Sequence, residues 1–532
     1  MSEQNHTFSS AALNAVPWFV LSKLLLFITY FIISIITVKY LGSEQYGVLV
    51  ICKSISEILI LVCTLGMTSS FTRFIPELAL NKNKAGIMRL LSKAGLLQIA
   101  ALAFAFVGLM ASQNILEDYF KTAFDQALVF TFLLVVFEQF KFNINAVLTA
   151  LFKAKWQAIF STFNGILWMA LILIFLSQNA SVSSALAAPA FSYALVYLFA
   201  AMVLFRHLKN LKWKSPAQAI GNARVMKHSG SILLSTLFRM LMIKYTELFF
   251  LGGMYDAETV GMYDLAFSLP LLVIAFIPSA VQELFVSGFS EAYCKNPNCL
   301  PTLIRSFYKV LILFCVPVAI YGFMFADEIL LDSYGWEFVG VSELISIFCL
   351  LHLLPLISAP LSMAIQAKEK VMNMFPTLIF QLSVNIILGY LLIVVFDQGV
   401  WGAMLAVFLT FVLTIPVRLW MVAKIIGGIY FPMRFFTRIL FVSLTSAYAI
   451  ELCLTPEVTW LILAMTPAYL VGIVLLCSLF PIFEASDETD LNQISQHKLQ
   501  VIFTLFNKLR AKLIKRDTVL DMSYQETTSC QK

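Results

Sequence analysis

The sequence predicts an all-α polytopic membrane protein of about 14 transmembrane helices, in two parallel six-helix lobes followed by two appended C-terminal helices. Three observations lead there. Of 532 residues, 60% are apolar and only 12% charged, about half the charged share of an ordinary soluble protein. The apolar residues gather into windows of about 20 or more, parted by short polar breaks, and the loops carry a repeat. A mean hydropathy of +0.87 over the whole length excludes a soluble enzyme with one anchor, a disordered scaffold and a nucleic-acid binder. Strict alternation is missing, which excludes a β-barrel.

Taken in order, residues 1–14 form a polar N-terminal segment. The first window, 15–41, outruns a signal-peptide core, has no Lys or Arg before Lys23, and reads as an uncleaved span. Windows 46–66, 90–111, 126–151, 156–176 and 182–205 complete an N-lobe over 15–205. A basic linker at 206–229 leads into a C-lobe over 230–423, with windows 230–252, 260–285, 306–326, 339–364, 374–396 and 401–423. Windows 437–454 and 457–480 are the appended pair. In the tail, 484–532, four acids precede a stripe of Leu491, Ile494, Ile502, Leu505, Leu509 and Leu513, with Lys508 to Arg516 crowding the later turns. That pattern suits a helix on the inner leaflet, or a dock for a biosynthetic partner.

Orientation follows from the breaks. Of 36 Lys and Arg residues, 27 fall in alternate breaks and the tail, while the opposite breaks hold Lys121 alone. The positive-inside rule then places both termini in the cytoplasm, and a multi-pass protein of the inner (plasma) membrane is expected. The net charge of +6 is too mild to imply a polyanion partner. Nine cysteines, mostly within apolar runs, imply no disulfide framework. Cys294 and Cys299 lack a His or second Cys pair and are expected to be reduced and metal-free.

The repeat lies in the turns. Glu44-Gln-Tyr-Gly47 and Glu258-Thr-Val-Gly261 are 214 residues apart, as are Glu77 and Glu291, and Ala154-Lys155 meets Ala367-Lys368 at 213. With six spans between copies the halves share an orientation, and parallel repeats put a substrate path between them near the midplane.

The chain resembles the polysaccharide-transporter branch of the multidrug/oligosaccharidyl-lipid/polysaccharide (MOP) exporter superfamily, the Wzx-type flippases. The stretches that carry the resemblance are Val38-Lys-Tyr-Leu-Gly-Ser-Glu-Gln-Tyr-Gly-Val48, Thr64-Leu-Gly66 through Phe74-Ile-Pro-Glu-Leu78, Leu251-Gly252 through Thr259-Val-Gly-Met-Tyr-Asp-Leu-Ala266, and Gln398-Gly-Val-Trp-Gly-Ala403. It covers about residues 15–423 and departs at Glu247, where many relatives carry Asp. The resemblance implies a flippase that moves undecaprenyl-pyrophosphate-linked sugar repeat units from the cytoplasmic to the outer leaflet, for O-antigen, capsule or exopolysaccharide, with a polysaccharide polymerase or glycosyltransferases as candidate partners.

Charges within the spans name the candidate substrate site. A charge at the bilayer centre costs at least about 2.5 kcal/mol and normally faces a cavity or a partner. Lys39, Lys309 and Arg418 lie near span ends, where their side chains can snorkel. Lys23, Lys53, Lys141, Arg239 and Lys244 lie deeper, with Glu57, Glu138 and Glu247. Lys53 and Glu57 share a face at i, i+4; Glu138, Lys141 and Asn145 form a stripe on the fourth span. Lys244 and Glu247, three apart, are expected to pair, leaving Arg239 to face the cavity. Five cations against three acids suit an anion such as lipid diphosphate, which Arg grips bidentately. A lone His352 in the tenth span reads as a packing residue. With no Walker loop, nucleophile elbow or HExxH, neither catalysis nor a cofactor is expected. The competing classes are a cation-coupled multidrug antiporter, which would want an acid-dominated cavity, and a membrane-embedded glycosyltransferase or polymerase, which would want large outer loops.

Overall fold

The computed structural model describes residues 2–124, 126–151, 153–210, 221–276, 278, 300–368, 371–453, 466 and 469–473. They are helical or in turns, and eleven of the helices are long and apolar enough to cross a membrane. The chain is a polytopic, all-α membrane protein.

α1 runs Ser2–Thr64 and contains two expected spans, because it bends at Gly42, where φ is 71° and ψ 179°. Side chains with a Cβ avoid that conformation, so Gly42 sets the break within a continuous stretch of helix-forming residues. α2 (Met67–Leu80) occupies what the sequence suggested was a break. It is amphipathic: Phe71, Phe74, Ile75 and Leu78 are buried, while Arg73 and Glu77 stay at the surface. α3 (Lys84–Ala111) is capped by Asn83, whose side chain accepts from the Gly86 N–H at 2.7 Å. α4 (Gln113–Phe120), α5 (Ala127–Ala150), α6 (Ala154–Gln178) and α7 (Val182–Asn210) follow. α8 (Asn222–Met240) continues through a π-turn, Leu241–Tyr245, into α9 (Thr246–Met254), and together they cover the seventh window. α10 is Ala257–Ile274, α11 Leu300–Met324, α12 Ala326–Ser333, α13 Ser342–Leu351 and α14 Ala359–Ala367. α15 (Phe375–Gly389) ends in a second π-turn, Tyr390–Val395, before α16 (Gly399–Ile426) and α17 (Met433–Cys453).

Two compact units divide these elements. The first holds residues 1–268, 334–341 and 375–414; the second holds 269–333, 342–374 and 415–532. In the first, α1 packs on α5 and α6, and α7 on α5 and α6. Polar side chains fasten neighbours, as expected where lipid supplies no hydrophobic drive between helices. Ser22 meets Thr162 at 2.7 Å, Ser192 donates to Asn164 at 2.9 Å, and Gln98 and Asn143 exchange amide bonds at 2.8 and 3.3 Å.

In the second unit, α11 packs on α13, α14 and α17 around Phe307, Tyr308, Leu361 and Ile439. Lys309 is 2% exposed here, which overturns the expectation that it snorkels. α11 begins at Leu300, six residues before the expected edge, so Lys309 lies more than two turns inside on the core-facing side. Arg418 donates to Ser362 Oγ at 3.0 Å, and His352 is buried with its ring stacked on Phe348. Cys294, Cys299, the linker residues 211–220, nearly all of the window 457–480 and the tail 484–532 lie outside the described residues.

Candidate functional site

The first unit carries a polar interior built from α1, α5, α6, α7, α10 and the π-turn between α8 and α9. The π-turn inserts one residue of extra winding and turns Lys244 away from the face of Glu247. Lys244 therefore forms an ion pair with Asp264 on α10 and donates to Ser268 Oγ at 3.0 Å. The expected Lys244–Glu247 pair is corrected by this register shift. Asp264 also accepts from the Tyr46 hydroxyl at 2.9 Å and from Ser268 at 3.2 Å. Next in the π-turn, Tyr245 donates to Glu57 on α1. Glu57 is exposed although it lies mid-helix, so it borders open space. Lys53 makes no ion pair among the described residues but acts electrostatically on Asp264.

A second group lies on α5, α6 and α7. Glu138 and Lys141 pair at 2.5 Å with side chains 18% and 14% exposed, and the Lys141 ammonium sits 4.0 Å from the Tyr193 ring centroid. Asn145 donates to Tyr197 at 3.2 Å. Tyr30 on α1 and Tyr193 flank Trp168, with centroids 5.5 and 6.1 Å away. Tyr193 interacts electrostatically with both Glu138 and Glu57, so the two groups are neighbours. Trp168 Nε1 and Asn145 Oδ1 are buried and have no partner among the described residues. One donor and one acceptor thus remain within an aromatic wall.

Glu247 forms a third feature. It is fully buried and accepts from Asn385 Nδ2 on α15. Its Oε2 and Asn385 Oδ1, both buried, accept no hydrogen bond among the described residues. Two such acceptors can take up a proton or a small cation. No group of three His, Cys, Asp or Glu is placed to hold a metal ion among the described residues.

The seam between α1–α2 and α8–α10 is closed at both ends. Near Gly42 the two repeat glycines meet: a Cβ built on Gly47 would lie 1.7 Å from the Ala257 carbonyl oxygen, and one on Gly261 would lie 2.9 Å from Gly47 Cα. At the opposite end Ser70 meets Ser229 at 2.8 Å and Ser69 meets His228 at 3.3 Å. There Arg224 also donates twice to Glu77, at 3.0 and 3.3 Å.

The expected site residues are thus partly united. Glu57, Glu138, Lys141, Asn145 and Lys244 come together and Lys53 stands beside them, but Lys53 and Glu57 do not pair. Glu247 is set apart with Asn385. Lys23 is half-buried on α1, and Arg239 is exposed on α8 with no ion pair among the described residues. Sequence reasoning missed Asp264, Tyr46, Tyr245 and Asn385. Asp264 stands in Met262-Tyr-Asp-Leu-Ala266, and an acid within an apolar window was the signal for it. Counting it, the assembled charges balance: Lys53, Lys141 and Lys244 against Glu57, Glu138 and Asp264.

The fold is similar to that of solved flippase and transporter structures. The lipid II flippase MurJ, in an inward closed conformation, superposes with a TM-score of 0.67 at 14% identity, covering 87% of this chain and 98% of MurJ. A MOP superfamily transporter from Pyrococcus furiosus gives 0.59 at 15% identity, covering 78% of this chain and 96% of its own. An inward-facing multidrug resistance MATE family transporter gives 0.58 at 14%, covering 77% and 98%. These proteins are transporters, not enzymes. The family model described as polysaccharide biosynthesis protein matches residues 36–343, and the chain belongs to that family. No curated protein matches it.

Proposed function

We propose that the chain is a flippase for undecaprenyl-pyrophosphate-linked oligosaccharide repeat units, carrying them from the cytoplasmic to the outer leaflet of the inner membrane by alternating access. The repeat unit would serve O-antigen, capsule or exopolysaccharide synthesis. The observation that carries the reading is the charge-balanced, tyrosine-walled interior, with an unpartnered donor on Trp168 and acceptor on Asn145. Sugar rings stack on aromatic faces, and their hydroxyls both give and take hydrogen bonds. Lys53 and Arg239, which make no ion pair among the described residues, would meet the diphosphate. The equivalent placement of the two repeat glycines, Gly47 and Gly261, supports two parallel six-helix lobes, while the reading of fourteen spans with both termini cytoplasmic rests on the apolar windows and the charge of the breaks. Glu247 and Asn385 would take up the coupling proton or cation.

A strain lacking the protein should accumulate repeat units confined to the cytoplasmic leaflet, and delivery to the outer leaflet at the normal rate would refute the reading. In the complemented strain Arg239→Lys should keep part of the export and Arg239→Glu almost none at normal protein level. For the orientation, a cysteine at position 179 should be labelled from outside and one at 210 only after permeabilisation. Glu247 also suits a cation-coupled multidrug antiporter, and lowered drug susceptibility conferred by the protein, with export unchanged in its absence, would favour that second reading.

A further inference from the structure

We propose that a cavity between α2, α3 and α8, apart from the polar interior, is a binding site for one anionic phospholipid. The cavity has a volume of about 590 Å3. Arg89 and Lys93 line it four residues apart on α3 and therefore on one face; Leu96 and Leu97 line it one turn further on. Val225 and Met226 of α8 form the facing wall. From Arg89 to Leu97 the helix rises about 12 Å at about 1.5 Å per residue, so cations at one level give way to apolar side chains below them. A phospholipid has the same order, with a phosphodiester above acyl chains.

The surroundings select the charge and the source. Neither α3 nor α8 contains an acid, and the single acid of α2, Glu77, is engaged by Arg224 and Arg73. Among the described residues no acid pairs with Arg89. Lys93 donates one of its three N–H groups to Asn222 Oδ1 at 3.1 Å, which holds the ammonium at the cavity mouth. Arginine and lysine together suit a phosphodiester, which accepts charge-assisted bonds from both. A free phosphate would leave the apolar half of the cavity in contact with water. Leu96 is 72% exposed and Met226 64% exposed, so that half opens sideways toward lipid, and the most apolar stretch of α3 is only 17% buried within the protein. Basic clusters at the headgroup level attract anionic lipid in this way. The proposal rests on the membrane reading of the fold but not on the flippase reading, and it stands whatever solute the polar interior takes.

The test is native mass spectrometry of the delipidated full-length protein, with phosphatidylglycerol or phosphatidylethanolamine added back. One phosphatidylglycerol should stay bound under activation that strips phosphatidylethanolamine. Arg89→Gln with Lys93→Gln should lower the phosphatidylglycerol-bound fraction at least fivefold. Leu97→Trp, which fills the apolar half and keeps both charges, should lower it likewise. Unchanged retention by the double Gln variant, eluting as the same monodisperse species, would overturn the site. Displacement by millimolar inorganic phosphate would overturn it in favour of a free-anion site. Displacement by undecaprenyl phosphate at concentrations where phosphatidylglycerol is not self-displaced would assign the cavity to the carrier lipid and overturn it too.

Discussion

Breaking the ion pair between Lys244 and Asp264 should cost more than removing both of its charges. The two side chains are 19% and 8% exposed, so the pair is largely withdrawn from water. Lys244→Met keeps the volume of the stem but leaves the carboxylate with only the Tyr46 and Ser268 hydroxyls as donors. An uncompensated buried charge of this kind costs about 3–5 kcal/mol. Asp264→Asn leaves an ammonium beside Ser268 and keeps an acceptor for Tyr46, which sets it at the lower end of that range. The double variant Lys244→Met/Asp264→Asn has no stranded charge, so the coupling between the two changes should exceed the larger single loss of about 3–5 kcal/mol. Thermal unfolding in detergent, followed by fluorescence-detected size exclusion, reads the order: each single variant should melt well below the native protein and the double variant above both. Export by the double variant should nonetheless fall sharply, because the interior has lost a charged partner. A double variant that melts lower by the sum of the two single decrements would refute the reasoning.

Gly47→Ala must displace the Ala257 carbonyl, which would otherwise lie 1.7 Å from the new Cβ; in a variant retaining Cys52 as the only cysteine, that thiol, buried in the native protein, should react faster with a membrane-permeant maleimide. Arg224→Ala removes a pair whose side chains are 54% and 36% exposed, so thermal unfolding should register a loss of no more than about 1 kcal/mol. Outside the spans, the Asp256 carboxyl is held below its ordinary value by hydrogen bonds from the Thr259 hydroxyl and N–H. Its contribution is full above the usual carboxylate pKa of about 4 and is lost as pH falls through the lowered value, so melting curves between pH 3 and 6 should lose part of their acid dependence in Thr259→Ala.

The spans were legible because a run of about 20 apolar residues leaves few alternatives in a membrane, and Gly42 was legible as a break because no side chain accepts its conformation. α2 was not: its periodicity is short, and its charges made it read as a loop. The partners of the interior were hidden for two reasons. Tyr46, Tyr245 and Tyr193 count as apolar by composition while their hydroxyls and rings do polar work. The pairs Tyr46–Asp264 and Tyr245–Glu57 span 218 and 188 positions, beyond any local pattern. The π-turn defeated the helical wheel itself, since 100° per residue holds only where the winding is regular. Lys244 therefore met Asp264 rather than Glu247.

The seal near Gly42 is made of main chain against main chain, Gly47 against Ala257 and Gly261, with no side chain interposed. Its fit is fixed by two absent methyl groups. On the flippase reading proposed above, closing the path and choosing the cargo would be tasks of different atoms. Lys53 and Glu57 would be exchanged to suit another sugar with the seal unchanged, whereas a single carbon added at either glycine would alter access for every cargo alike.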